Sequence, residues 1–191
     1  MIDLSNKVST CHKCPLAKMR RHVVFGEGDV NSDILLIGEA PGFHEDQRGK
    51  PFVGEAGQLL DKILAAINLN RKNLYITNVL KCRPPKNRDP EPYERAACFP
   101  ILQKQIEIIK PKYILVLGRI AAHVLLNTSR PLSNLRNRVY RKYGALMVIT
   151  YHPAALLRNA NLKRDTWEDV QVFQKCFSGT YNGDVIDLDN L

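Results

Sequence analysis

No apolar run in the 191 residues approaches the roughly 20 needed to cross a bilayer, so no membrane partner is expected. The first residues, MIDLSNKVSTCHKC, lack the hydrophobic centre of a secretory signal, which points to a cytoplasmic or nuclear compartment. Internal repeats and low-complexity segments are also missing. Acidic residues are scarce: 19 Asp and Glu face 28 Lys and Arg, for a net charge of +9 and a pI of about 9.4. Such an excess suits a polyanionic partner, because each cation placed on a phosphate releases condensed counterions. Solubility alone would also account for it. Five cysteines in a reducing compartment argue against a disulfide framework and towards metal ligation or a reactive thiol. With 45% hydrophobic and 25% charged residues, the chain is expected to fold as one domain over 1–191, a monomer with a loosely held polar tail from 178 to 191.

Four short segments are largely apolar: residues 34–37, 74–80, 113–117 and 146–150. Such runs suit strands buried on both faces. Between them, 56–67, 93–110 and 119–126 carry helical spacing, and a last helix is expected over 166–177. Pro100 is expected to kink or divide the second of these helices, and four prolines between Pro84 and Pro92 exclude regular structure there. Alternating strands and helices give an α/β class, with a central, mainly parallel four-stranded sheet covered by helices. Ligands of such sheets bind beyond the carboxyl ends of the strands. Glu39, Ala40, Pro41, Asn78 and His152 all stand at those ends.

Cys11 and Cys14 form a CxxC, followed by Cys82 and then, with fifteen residues between, Cys98. Four thiolates can ligate Zn²⁺ tetrahedrally or hold a [4Fe–4S] cluster, and spacing does not choose between them. Cys82 lies in a Lys/Arg/Pro loop with no need for an apolar residue. Cys176 falls in the apolar pattern of the last helix and reads as packing.

Taken in order, CHKCPL at 11–16, GEAPGFHED at 38–46, GKPFVGEAGQLLD at 49–61, ITNVLKCRPPKNRDP at 76–90, IKPKYILVLG at 109–118 and HPAALLR at 152–158 resemble the family 4 uracil-DNA glycosylases. The resemblance runs from about residue 8 to 177. It implies a monofunctional enzyme that flips uracil out of DNA and hydrolyses its N-glycosidic bond to start base-excision repair. It also implies a three-layer α/β/α sandwich and a [4Fe–4S] cluster on Cys11, Cys14, Cys82 and Cys98.

The implied roles have a physical basis. The transition state gathers negative charge on uracil O2, and His152 is placed to answer it with a hydrogen bond. The Asn78 amide can accept from N3–H and donate to O4, a pattern that cytosine reverses. Phe52 is the implied stacking platform, and the backbone of Glu39-Ala40-Pro41 is expected to contact O2. Better-known uracil glycosylases carry a water-activating aspartate where Ala40 stands. Glu45, with Glu39 as the alternative, is therefore expected to orient water or block thymine's methyl. Covalent relatives have an inserted basic, histidine-containing loop before the HP motif, which RVYRKYGALMVITYHP lacks. Leu156 or Leu157 is expected to fill the gap left by the flipped base, with Arg158 on phosphate. Lys163, Arg164 and the 136–138 cluster could extend that face. The rival readings are a zinc-bearing nucleic-acid-binding protein and a phosphate-cleaving nuclease. The first leaves Glu39, Asn78 and His152 unexplained, and the second lacks the metal-binding carboxylates.

Overall fold

The computed structural model describes residues 1–189. Its centre is four parallel strands, β2 (Ile34–Gly38), β3 (Tyr75–Asn78), β4 (Tyr113–Leu117) and β6 (Ala145–Thr150), in the order β3-β2-β4-β6. Side chains alternate between the two faces, so each short apolar run feeds two cores. Leu35, Ile37, Ile114, Val116, Met147 and Ile149 point to one core; Leu36, Leu115, Leu117 and Val148 point to the other. The first core is covered by α1 (Ile2–Ser9), α4 (Pro92–Ile109) and α5 (Arg119–Leu126). The second is covered by α3 (Glu55–Ala65) and α7 (Leu162–Phe177). The three-layer α/β/α sandwich is thereby built.

The sheet is larger than the expected four strands. β1 (Glu27–Gly28) joins β3 antiparallel, β5 (Val139–Lys142) joins β6 antiparallel, and β7 (Val185–Asp187) lies parallel to β5, giving seven strands. The tail expected to be loose therefore supplies an edge strand, while residues 190 and 191 lie outside the described residues. VYRK is half polar, and the edge strand VID is only three residues long, so neither gives much apolar signal.

Helix α4 also differs from expectation, running unbroken through Pro100. Its start is firmly set. Pro92 occupies the first turn, and the Glu94 carboxylate accepts the Glu91 N–H at 2.8 Å while taking a two-pronged contact from Arg88 at 2.8 and 2.9 Å. Pro100 sits on the exposed side, where a freed carbonyl can meet water. Two short helices complete the chain, α2 (Phe43–Arg48) after β2 and α6 (Pro153–Arg158) after β6.

Candidate active site

Strand register brings the site residues to one edge. Gly38 pairs opposite Asn78, and Leu117 opposite Thr150, so the segments leaving β2, β3, β4 and β6 emerge side by side. The chain leaves β2 towards β3 on one side and reaches β4 on the other, making β2/β4 the switch point where such sheets bind ligands.

Asn78 closes β3 and is only 2% exposed, and its Oδ1 has no hydrogen-bond partner among the described residues. An unmade buried acceptor costs about 1–3 kcal/mol, which marks this atom as a receiver for an incoming donor. Asn78 Oδ1 and the edge of the Phe52 ring crowd the same side of Gly38, where a Cβ would collide with both. Glycine at the end of β2 thus permits amide and ring to meet.

Phe52 is buried with a left-handed backbone, φ 52°. Three neighbours hold it there. The backbone of Gly57 lies against the Phe52 carbonyl so closely that a Cβ would overlap it. Arg71 donates to the carbonyls of Pro51 (3.0 Å) and Phe52, and its Nε donates to Asp61 at 2.6 Å. The Phe52 ring lies 5.4 Å from the His152 ring, 27° from parallel.

His152 caps α6: its Nδ1 accepts the Ala154 N–H at 3.2 Å, which leaves the proton of the neutral ring on Nε2. Burial lowers its pKa to about 4, with the Arg158 guanidinium adding to the effect and Glu45 opposing it. Gly118, at φ 94°, gives this ring room, since a Cβ there would stand 2.9 Å from that of His152. The preceding Tyr151 lies under the Arg136 guanidinium at 4.5 Å. Arg136 in turn bonds the buried Asp169 at 2.6 Å and Asp165 at 2.9 Å. That arginine, expected on a phosphate-binding face, is instead part of the internal brace behind the HP segment.

Glu39 and Glu45 part company. Glu45 Oε1 accepts from the N–H groups of Val53 and Gly54 at 2.8 and 2.9 Å, and Oε2 from Gly42 at 3.1 Å. Its carboxylate pins the 41–42 turn to the 52–54 loop, a use that the spacing did not reveal. Glu39 has no side-chain hydrogen bond among the described residues. Burial raises its pKa to about 7, Asp89 adds to the rise, and Arg119, Arg95 and Arg158 oppose it. Beside it, Ala40 is half-buried and Pro41 buried.

On α6, Leu156 is 3% exposed and packs inward, so it cannot enter DNA; Leu157, 50% exposed, projects outward next to the exposed Arg158. The amphipathic period of a helix separates these neighbours, which sequence alone left as alternatives.

The four cysteines gather at a second place. Cys11, Cys14, Cys82 and Cys98 line one small pocket with Arg20 and Lys81. Cys82 and Cys98 are buried, and Arg20 donates to Cys82 Sγ at 3.5 Å and to the Cys11 carbonyl at 2.7 Å. Among the described residues no three His, Cys, Asp or Glu converge on a point that could hold a single metal ion. Thiols spread around a pocket fit a multi-iron cluster in donor type and number. Cys176 lies in the other core, beneath α7.

Two contributors escaped the sequence reading. Lys81, in the Lys/Arg/Pro loop beside Cys82, is 1% exposed and donates to Thr77 Oγ1 (2.7 Å), the Asn78 carbonyl (2.6 Å) and Gln105 Oε1 (2.6 Å). Arg71 sits in an ordinary polar turn, and no pattern marks a side chain that reaches twenty residues back.

Comparison with known proteins agrees with this geometry. Residues 25–171 match the family described as the Uracil DNA glycosylase superfamily. A type-4 uracil-DNA glycosylase of Pyrobaculum aerophilum is 42% identical over 178 residues, 89% of this chain and 91% of its own. One of Thermotoga maritima is 42% identical over 172 residues, 88% and 90% of the two chains. A type-5 uracil-DNA glycosylase of Pyrobaculum aerophilum is 28% identical over 199 residues, 87% of each. The chain belongs to the uracil DNA glycosylase superfamily and, within it, to the type-4 family.

Proposed function

We propose that this chain is a monofunctional uracil-DNA glycosylase that starts base-excision repair, and that one folded domain carries the whole reaction as a cytoplasmic monomer. The observation that carries the reading is the unpartnered, buried Asn78 Oδ1 beside the Phe52 ring, at the sheet edge that also presents His152.

A uracil flipped from the duplex stacks on Phe52. Asn78 Oδ1 accepts from N3–H, and its amide N–H₂ donates to O4. Cytosine would set a lone pair against Oδ1 and a donor against the amide, leaving buried polar groups unpaired. As the bond between N1 and C1′ breaks, its electron pair passes into the base and charge gathers on O2. The neutral His152 donates its Nε2–H there, a bond that strengthens as the charge grows. Water adds to C1′ and loses a proton, giving free uracil and an abasic sugar. Glu39, ionised near neutrality and facing Arg95, Arg119 and Arg158, holds that water; Ala40 and Pro41 shape the wall beside O2, and Glu45 fixes the wall in place.

Lys81 lies near Asn78, but its Nζ is enclosed by three protein acceptors, which supports hydrolysis by water over attack by an amine. Leu157 fills the space vacated by the base and Arg158 meets phosphate, with Lys163 and Arg164 beyond them. Cys11, Cys14, Cys82 and Cys98 hold a [4Fe–4S] cluster. That cluster joins the N-terminal segment, the loop after β3 and helix α4 into one unit.

The test is incubation with a uracil-containing oligonucleotide in the presence of chelator. Release of uracil, with strand cleavage only after alkali, is the expected result; an intact glycosidic bond, or cleavage without alkali, counts against the reading.

A further inference from the structure

We infer that Arg71 is a positioning residue for base stacking, acting through the backbone of Phe52; this rests on the proposed uracil-binding role of Phe52. Arg71 lies in the turn before β3, where its guanidinium joins three separate pieces of chain. Nη1 and Nη2 donate to the carbonyls of Pro51 and Phe52, and Nε donates to Asp61 of α3. The planar fork matches two successive carbonyls plus a carboxylate, which an ammonium group cannot reproduce.

What the fork holds is an unfavourable conformation. Phe52 has φ 52°, a region that a bulky residue adopts only when its surroundings impose it. Gly57 leaves room for the Phe52 carbonyl on one side, and Arg71 captures it from the other. The left-handed turn directs the ring across Gly38, towards Asn78 Oδ1 and alongside His152. Without the fork, nothing among the described residues bonds the two carbonyls into this turn, and relaxation of φ towards negative values carries the ring off the base site. Asp61 supports the arrangement by orienting the guanidinium from α3.

The test is a double-substitution cycle on the full-length protein, with Arg71→Gln, Phe52→Ala and the combined variant. Single-turnover excision, inhibition by free uracil and binding of a uracil-free abasic duplex are each measured. Arg71→Gln is expected to lower the excision rate by on the order of tenfold and to weaken inhibition by free uracil similarly, with abasic-duplex affinity within about twofold of wild type. The combined variant is expected to be no slower than Phe52→Ala, because one substitution has already removed what the other disturbs. Arg71→Lys, which keeps the charge beside Asp61 but not the fork, is expected to behave as Arg71→Gln. Additive losses, a wild-type rate in Arg71→Gln, or an equal fall in abasic-duplex affinity each overturn the inference while wild type remains active. An inactive wild type removes the functional reading and this inference together.

Discussion

Phe52 and His152 face each other with ring centroids 5.4 Å apart and planes 27° from parallel. A base sandwiched between two rings needs about 7 Å, twice an optimal carbon contact, so the pair does not clasp uracil from two sides. Phe52 offers a face, while His152 offers its Nε2–H edge. On the proposed reading, one ring would fix the plane of the base, and the other would act on a single atom of it.

Replacement of His152 by alanine is expected to slow the single-turnover step by on the order of 10²–10³, with DNA affinity changed far less, because the lost bond matters mainly when O2 is charged. With a pKa of about 4, the ring is neutral across the working range. Rate–pH profiles of wild type should therefore show no histidine limb between pH 5 and 8.

Asn78→Asp exchanges the amide donor for an acceptor. Uracil O4 is then repelled, while cytosine N4–H₂ gains a partner. The expected result is loss of uracil excision, with at most trace release of cytosine, a poorer leaving group. Near wild-type uracil excision by this variant in single-turnover comparison would remove Asn78 from recognition.

Glu39 should set the pH dependence. Its folded pKa of about 7 means that the carboxylate ionises only as pH rises through neutrality, so the excision rate should climb through that region and then level. Glu39→Gln should abolish this limb and lower the plateau. Stability moves the opposite way. A carboxyl whose folded pKa is raised stabilises the fold below its unfolded value near 4.5, and that contribution is lost as pH rises through about 7. Melting curves at pH 8 should thus show Glu39→Gln gaining on wild type, a gain absent at pH 4.

The cysteines divide four to one. Cys82→Ser and Cys98→Ser should lose the brown colour of an anaerobically purified protein along with much of its stability, since ligation couples to folding. Cys176→Ser, in the opposite core, should keep the colour. Bleaching by Cys176→Ser but not by Cys98→Ser would require another ligand set.

The two leucines of α6 should separate cleanly. Leu156→Ala removes a core side chain and should cost about 2–5 kcal/mol in denaturant titration, with little specific effect on DNA. Leu157→Ala should leave stability unchanged and slow excision from duplex more than from single strands, where no stack needs to be held open.

The central strands were legible because burial on both faces writes an unbroken apolar run, as in Ile34 to Ile37. β1, β5 and β7 were not, because strands of two to four residues with little apolar content, or half-polar ones, write almost nothing. Helix α1 was hidden in the same way: of IDLSNKVS only Val8 is buried. At the site, Asn78 and His152 were readable as residues ending strands. The use of Glu45 as a pin, the inward turn of Lys81 and the reach of Arg71 were not. Each depends on which backbone groups meet after folding, and a charged side chain in a loop carries no periodic signature of its partner. Leu156 and Leu157 needed only the helix phase, which a six-residue segment is too short to set.

The order of strands also governs when a growing chain becomes competent. Glu39, Phe52 and Asn78 leave the ribosome early, on β2, β3 and the loop between them, whereas His152 follows β6, the strand that pairs with both β4 and β5. Until β6 is made, β4 has an open edge and the nascent protein holds Glu39, Phe52 and Asn78 but not His152. Synthesis of β6 therefore closes the central four strands and brings His152 to their carboxyl edge in one step, with β7 still to join β5.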